Sequence, residues 1–173
     1  MAFRLGAIVF GAVLAAWTGQ AGAQDAPQAS GTQPQAQPQS NWASRCVAPA
    51  RQAPLECLIE QRLIMGNTGQ QIGAITVRLP TADGRPVLVI QTPLGLLIPA
   101  GVAIDIDGAA KTELEIQTCD GGGCYANATI SDDLLANLTR GQKLNITFQN
   151  LSKQPVTITA SLVGFTAAFQ RVR

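Results

Sequence analysis

The sequence lacks histidine altogether, and charged residues make up only 13% of the chain. Without an imidazole, the chain has no histidine-based catalytic triad, no histidine-ligated metal and no histidine general base. The few charged residues are scattered and form no basic run. Because phosphates are bound by clustered Lys and Arg, we expect no nucleic-acid partner and no electrostatic docking to an anionic membrane surface.

Long apolar runs are also scarce, and the N-terminus carries the main one. Residues 5–17 are apolar, follow Arg4 and precede the small-residue site Ala21-Gly22-Ala23. This is the pattern of a signal peptide, with a retained anchor as the alternative. No later run approaches the roughly 20 apolar residues of a membrane span. We therefore predict a signal peptide at residues 1–23, export to the periplasm, and no integral membrane span after cleavage. Association with the outer membrane and secretion remain alternative locations.

Residues 24–41 contain mainly Gln, Pro, Ala and Ser, with one charge and no large apolar side chain. Such a segment cannot bury enough surface to offset its ordering entropy, so we predict a disordered linker. Residues 42–173 then form a single domain of ordinary size.

Four cysteines in an exported chain predict two disulfides. Three pairings are possible. The sequence-local one, Cys46–Cys57 with Cys119–Cys124, is preferred because both loops are short and each pair would join neighbouring strands. A zinc site would need all four thiolates in an oxidising compartment, so we expect no metal and no cofactor.

From residue 55 onwards, short segments with alternating or continuous apolar residues are separated by turn sequences. We predict an all-β fold, a β-sandwich of about eight or nine mostly antiparallel strands with one short helix. The run 87–90 is expected to be buried on both faces, and Ala82–Arg85 is predicted to be a hairpin turn. The predicted strands include residues 55–61, 72–79, 87–90, 102–107, a single return strand 113–117, 125–130, 144–148 and 156–160.

Two helical segments are expected late in the chain. Ser131 precedes two acidic residues and an apolar face, which predicts a helix ending at Gly141. A last helical turn at residues 164–169 would pack Phe165 onto the core. Trp42 is interpreted as a core residue rather than a ligand platform.

Acidic residues offer weak alternatives for chemistry. Asp105 and Asp107, or Glu113 and Glu115, alternate along strands, and the solvated face of a sheet explains them better than paired catalytic carboxylates. A calcium site that adds Asp120 is disfavoured against ordinary Asp-Gly turn chemistry. We therefore predict no catalytic residues, with an unfamiliar carboxylate hydrolase as a minor hypothesis.

The segment 92–101 is apolar but is interrupted by prolines and glycines, which predicts a loop or a bent edge segment. Loops on a rigid scaffold commonly carry recognition. The candidate binding residues are Leu94, Leu96, Leu97 and Ile98, and burial of these leucines in the core is the alternative.

Several features together resemble the invasion-associated locus B family of bacterial exported proteins. They are Trp42 with Cys46 and Cys57, the run 97–102 leading into 105–107, Cys119 followed by Gly123-Cys124, the residues 134–138 before Gly141, Phe148, and the closing segment 161–169. The resemblance implies an envelope-associated β-sandwich whose four cysteines form structural bridges, and it supplies no catalytic residues. In host-associated bacteria the family is linked to host-cell entry, and members also occur in bacteria with no known host.

These observations favour a non-enzymatic envelope or periplasmic protein that acts by protein binding in adhesion, invasion or envelope interactions. Its expected partner is a protein in the envelope or on a host surface. The alternative is a periplasmic accessory or chaperone-like module that binds client chains by edge-strand pairing.

Overall fold

The computed structural model describes residues 41–48, 50–79 and 84–173. The predicted signal peptide, the predicted linker except Asn41, and residues 82 and 83 of the predicted turn at 82–85 lie outside the described residues. The described part forms β1 (Ala43–Val47), β2 (Glu56–Ile64), β3 (Gln71–Leu79), β4 (Val87–Thr92), a 3-10 turn (Ile98–Ala100), β5 (Val102–Ile106), β6 (Thr112–Leu114), β7 (Ile116–Asp120), β8 (Gly123–Thr129), α1 (Asp132–Arg140), β9 (Lys143–Gln149), β10 (Pro155–Ser161) and α2 (Phe165–Arg171).

The strands form two antiparallel sheets. One has six strands in the order β1-β2-β3-β4-β8-β7, and the other has four in the order β10-β9-β5-β6. Alternate side chains of each sheet point towards the other sheet and make the core, as expected of a sandwich. Ile59, Ile75 and Ile90 of the six-stranded sheet and Ile104 and Ile146 of the four-stranded sheet are buried there. The predicted all-β sandwich is confirmed.

The expected single return strand after β5 is instead divided between the two sheets. Its first part, β6, pairs with β5, and its second part, β7, pairs with β8 in the other sheet. Glu115 alone separates them, so the chain crosses from one sheet to the other at this corner. The division explains why the described chain contains ten strands rather than about nine. It also means that the chain itself closes this side of the sandwich.

The strand β4 corrects a second expectation. Leu88 and Ile90 are fully buried, whereas Val87 and Val89 are only half-buried. Leu88 and Ile90 face the core, and Val87 and Val89 lie on the outer face of the six-stranded sheet. The prediction that both faces of the run 87–90 are buried is therefore wrong. A continuous run of Val, Leu and Ile therefore does not require burial on both faces of the sheet here.

Both helices begin and pack as the sequence predicts. The Ser131 hydroxyl accepts a hydrogen bond from the Leu134 N–H at 3.2 Å and caps α1, whose Leu138 is buried. Phe165 in α2 meets Trp42 in an edge-to-face contact, with ring centroids 5.1 Å apart. Trp42 is only 4% exposed, which confirms its assignment to the core.

The two disulfides join directly opposed residues of neighbouring strands. Cys46 and Cys57 face each other across β1 and β2, and Cys119 and Cys124 do so across β7 and β8. The structure therefore has the sequence-local pairing. Gly123, beside the second bridge, has φ +145°, and a Cβ at this position would meet the carbonyl oxygen of β4, so only glycine fits.

Candidate functional site

The loop between β4 and β5 lies against the turn between β9 and β10. Leu96 forms an isolated bridge with Asn150, and the Leu97 N–H donates to the Gln149 carbonyl oxygen at 2.8 Å. These bonds fix the loop on the end of the four-stranded sheet. They bring Leu151, the next residue along the turn, to the same end of the domain as the loop.

This arrangement exposes some of the candidate binding residues and buries others. Leu94 and Ile98 are 57% and 54% exposed, and Leu151 is 73% exposed. We call these three side chains the apolar tip. Leu96 is 4% exposed and Leu97 is half-buried, so the prediction that Leu96 belongs to an exposed binding loop is wrong. Its bridge to Asn150 directs Leu96 into the core, where it anchors the loop.

A second surface, which the sequence did not indicate, lies at the open side of the sandwich. Ala43, the first residue of β1, pairs with Glu60, so residues 61–64 of β2 extend past the end of β1. Across from them runs β10, the edge strand of the other sheet. Between residues 61–64 and residues 158–161 is a cavity of about 670 Å³, which we call the edge groove.

The walls of the edge groove combine apolar and polar side chains, and one of the polar groups is a buried amide. Leu63, Ile72, Ile158 and Ala160 contribute apolar surface, and Gln61 lies among them with 3% exposure. Within the described part of the chain, Gln61 Oε1 has no hydrogen-bond partner. Buried polar side chains almost always have a partner, so this amide oxygen requires an explanation.

The outer rim of the edge groove carries three charges. Glu60 accepts from Arg62 Nε at 3.1 Å and lies 3.6 Å from Arg45 Nη2. Both arginines are largely exposed, so these ion pairs add little to stability. Two guanidinium groups against one carboxylate give the rim a net charge of about +1.

Two of the acidic residues considered for chemistry, Asp105 and Asp107, hold the corner between β5 and β9. Asp105 was expected on the solvated face of its strand, and this expectation is wrong, because Asp105 is buried. Asp105 Oδ1 accepts from the Gly108 N–H at 2.9 Å and from Asn145 Nδ2 at 2.8 Å. The Asp107 carboxylate accepts from the backbone N–H of Lys143 at 2.8 Å. Nowhere in residues 41–48, 50–79 and 84–173 do three acidic or cysteine side chains come together as metal ligands would.

The hairpin tip closed by Cys119–Cys124 has its own polar cluster. The Tyr125 hydroxyl donates to Asp120 Oδ1 at 3.1 Å, and the same oxygen accepts from the Gly122 N–H at 2.7 Å. Partial desolvation raises the pKa of Tyr125 above its ordinary value, and the hydrogen bond to Asp120 and the charge of that carboxylate raise it further. These hydrogen bonds hold the turn of the hairpin tip in place.

Comparisons with known proteins agree with this architecture. A family model described as invasion associated locus B (IalB) protein matches residues 42–173. The chain belongs to the IalB family. No curated protein matches the sequence significantly. The crystal structure of invasion associated protein B from Bartonella henselae superposes with a TM-score of 0.67 at 23% sequence identity, covering 76% of this chain and 90% of that one. At this identity the likeness shows a shared fold.

Within the IalB-family domain, the apolar tip and the edge groove leave different signals in the sequence. Leu151 stands alone among Asn, Ser, Lys and Gln in a turn sequence, and an isolated leucine there could have indicated exposure. Gln61 occupies the inward register of β2 between Ile59 and Leu63, so a polar residue at a core position was the available signal. In the described residues, neither helix is long and apolar enough to cross a membrane.

Proposed function

We propose that this IalB-family chain is an exported, non-enzymatic protein that binds another protein through the apolar tip. The observation that carries the proposal is the exposure of Leu94, Ile98 and Leu151 on two loops that are hydrogen-bonded together at one end of a disulfide-bonded sandwich. Large apolar side chains exposed on loops of a rigid scaffold are typical of a recognition surface. Their burial against a partner would be favourable by about 1.5–3 kcal/mol for each side chain.

Export is supported by the signal-peptide pattern at residues 1–23 and by the two disulfides, which persist in oxidising compartments. We propose the periplasm as the location, with outer-membrane association or secretion as further possibilities for a protein that meets a partner in the envelope or on a host surface. The name of the Bartonella neighbour associates that protein with invasion, which supports a role in adhesion, invasion or envelope interactions.

The test is a photocrosslinking amino acid placed at Ile98 in the producing bacterium, followed by mass spectrometry of the captured protein. Val163 provides a matched control, because it is 51% exposed and follows the opposite end of β10 from Leu151. We expect one envelope or host-surface protein to be captured repeatedly from position 98 and not from position 163. With the crosslinker kept at position 98, the double variant Leu94→Ser, Leu151→Ser should lose that capture, whereas Val163→Ser should retain it.

Two results would count against the apolar tip. If position 98 captures nothing, the tip does not bind a protein under these conditions. If it captures a broad set of unrelated exported chains, a chaperone-like role is favoured instead.

The second candidate function, edge-strand pairing with client chains, is supported by a different observation. Among the described residues, β10 pairs with β9 alone, and residues 61–64 of β2 pair with β3 but have no strand on their β1 side. Both of these edges lie beside the edge groove. Addition of an extended segment to a free strand edge is a common mode of peptide recognition.

A further inference from the structure

We propose that the edge groove binds one extended segment of another polypeptide, which adds a strand to β10 and places a hydrogen-bond donor side chain against Gln61 Oε1. This inference rests on the proposal that the protein acts by binding, and it specifies the chemistry of the ligand at a surface separate from the apolar tip.

The first argument is that, in the described ranges 41–48, 50–79 and 84–173, the chain joins the two sheets on one long side and leaves the other long side open. On one side, the chain crosses from β6 to β7 through Glu115 and joins the two sheets covalently. On the other side lie the edge strands β1 and β10, which are not paired with each other. In the part of the chain that the structure describes, β1 does not extend beside residues 61–64, and the edge groove lies between these residues and residues 158–161 of β10.

The second argument comes from the backbone of β10. The Ser161 carbonyl oxygen accepts the Trp42 indole N–H at 3.1 Å, so the backbone groups of Ser161 point away from β9 and towards the open side. Alternate residues of an antiparallel strand direct their N–H and C=O groups to the same side. Thr157 and Thr159 therefore direct backbone donors and acceptors that no described strand pairs towards a segment lying along β10, and Thr159 lines the edge groove.

The third argument is the buried amide. Leaving an acceptor such as Gln61 Oε1 unpaired in an apolar wall is unfavourable, and a donor from a ligand would satisfy it. Because alternate residues of a strand point to the same face, the residues two positions before and after that donor would face Leu63, Ile72, Ile158 and Ala160. The ligand segment is therefore an apolar strand with one Asn, Gln, Ser or Thr at its central inward position.

The rim adds a preference for charge. Arg45 and Arg62 share Glu60, which leaves about one positive charge uncompensated at the mouth of the edge groove. An acidic residue at the end of the ligand segment would lie favourably beside it, and a basic residue would not. The preference for an acidic residue distinguishes the proposed ligand from a purely apolar peptide and from a cationic one.

The test uses the purified exported protein and blocked peptides of about eight residues, the length of an ordinary strand. The first peptide alternates Val and Thr, with Asn at the central inward position and Glu at one end. The second has Val in place of Asn, and a third carries N-methyl groups on the backbone amides of one edge. Fluorescence anisotropy of labelled peptides gives the three dissociation constants.

We expect the Asn peptide to bind about tenfold more tightly than the Val peptide, since the buried acceptor stays unpaired with the latter. In Gln61→Leu that preference should disappear or reverse, which a double-mutant cycle measures directly. The N-methylated peptide should not bind, because it cannot pair with β10. Ile98→Ser, a variant of the apolar tip, should match the parent with each of the three peptides, binding the Asn and Val peptides with unchanged affinity and failing to bind the N-methylated one.

A measurement on the unmodified protein covers the case in which Gln61→Leu does not fold. The side-chain amide resonance of Gln61 and the backbone amide of Thr159 should shift when the Asn peptide is added. Equal affinity for the Asn and Val peptides, or an unchanged Gln61 resonance, overturns the proposal. So does a concentration-dependent dimer that Gln61→Leu abolishes, because a second copy of the chain would then occupy the edge groove.

The two proposals fail independently. Loss of capture at position 98 together with retained peptide binding would leave the edge groove as the binding site. Capture at position 98 without peptide binding would remove the edge groove and leave the apolar tip.

Discussion

Trp42 is predicted to be a principal determinant of stability, because it connects three parts of the domain. It immediately precedes β1, its indole N–H donates to the Ser161 carbonyl oxygen at the end of β10, and its ring packs edge-to-face on Phe165 of α2. It is 4% exposed, so replacement by alanine would remove a buried indole from the junction of both sheets and a helix. Trp42→Ala tests this connection, and Trp42→Phe tests the hydrogen bond separately.

The structure sets the expected magnitudes. Truncation of a buried aromatic side chain to alanine costs about 3–5 kcal/mol. The edge-to-face pair contributes about 0.5–1.5 kcal/mol of this, and the hydrogen bond about 1 kcal/mol. Phenylalanine retains a ring against Phe165 but leaves the Ser161 carbonyl without the indole donor. We therefore expect Trp42→Phe to lose about 1–2 kcal/mol.

Urea unfolding followed by far-UV circular dichroism measures both losses without relying on tryptophan fluorescence. At a slope of about 2 kcal/mol per molar urea, the midpoint should fall by about 2 M for Trp42→Ala and by about 0.5–1 M for Trp42→Phe. Val47→Ala is the control, because Val47 is 49% exposed on β1 and its truncation should change stability by less than about 0.5 kcal/mol. A loss below about 1 kcal/mol for Trp42→Ala would contradict the packing of the indole between β10 and α2.

Two further predictions concern the hairpin tip. Replacement of both Cys119 and Cys124 by Ser should lower the free energy of unfolding by about 2 kcal/mol, since the bridge closes a separation of five residues, and urea unfolding that matched the oxidised parent would contradict this. Tyr125 is the one tyrosine of the chain, so its ultraviolet titration should give a pKa above the ordinary 10.0, and Asp120→Asn should lower it. Because the pKa of Tyr125 is higher in the folded protein, the stabilisation linked to it is present below the pKa of the unfolded chain and is lost as pH rises through the pKa of the folded protein. The same titration midpoint for Tyr125 in the parent and in Asp120→Asn would refute the role of Asp120.

Much of the fold follows from local patterns in the sequence. The spacing of the cysteines and the alternation of apolar residues depend on neighbouring positions, so both disulfide pairings and the sandwich could be predicted. The corner between β6 and β7 could not, because Leu114 and Ile116 continue one alternating pattern although they face the core from different sheets. Alternation reports which side chains point inwards, and it does not report which strand lies alongside.

The candidate surfaces show the same limit. A loop with two prolines and several leucines was recognisable, but whether Leu96 is exposed depends on its bridge to Asn150, far away in sequence. The edge groove exists because β1 begins at Ala43, opposite Glu60, and so does not cover residues 61–64 of β2, and because β10 is an edge strand. Neither feature is encoded locally in the sequence. Gln61 at an inward position of β2 was the one local sign of this site.

A free strand edge also invites pairing between copies of the same protein, so the proposed binding of an extended segment to β10 requires features that disfavour such pairing. At its beginning, Pro155 lacks a backbone donor and Lys153 precedes it with a charge, and both features disfavour sheet extension. Its end, residues 158–161, has no such protection but lies inside the edge groove, opposite residues 61–64 of β2. A second sandwich would have to bring a whole sheet edge into this cavity, whereas a single extended segment needs only the width of one strand, about 4.8 Å. The edge groove therefore admits an extended segment of another chain more easily than a second folded copy of this chain.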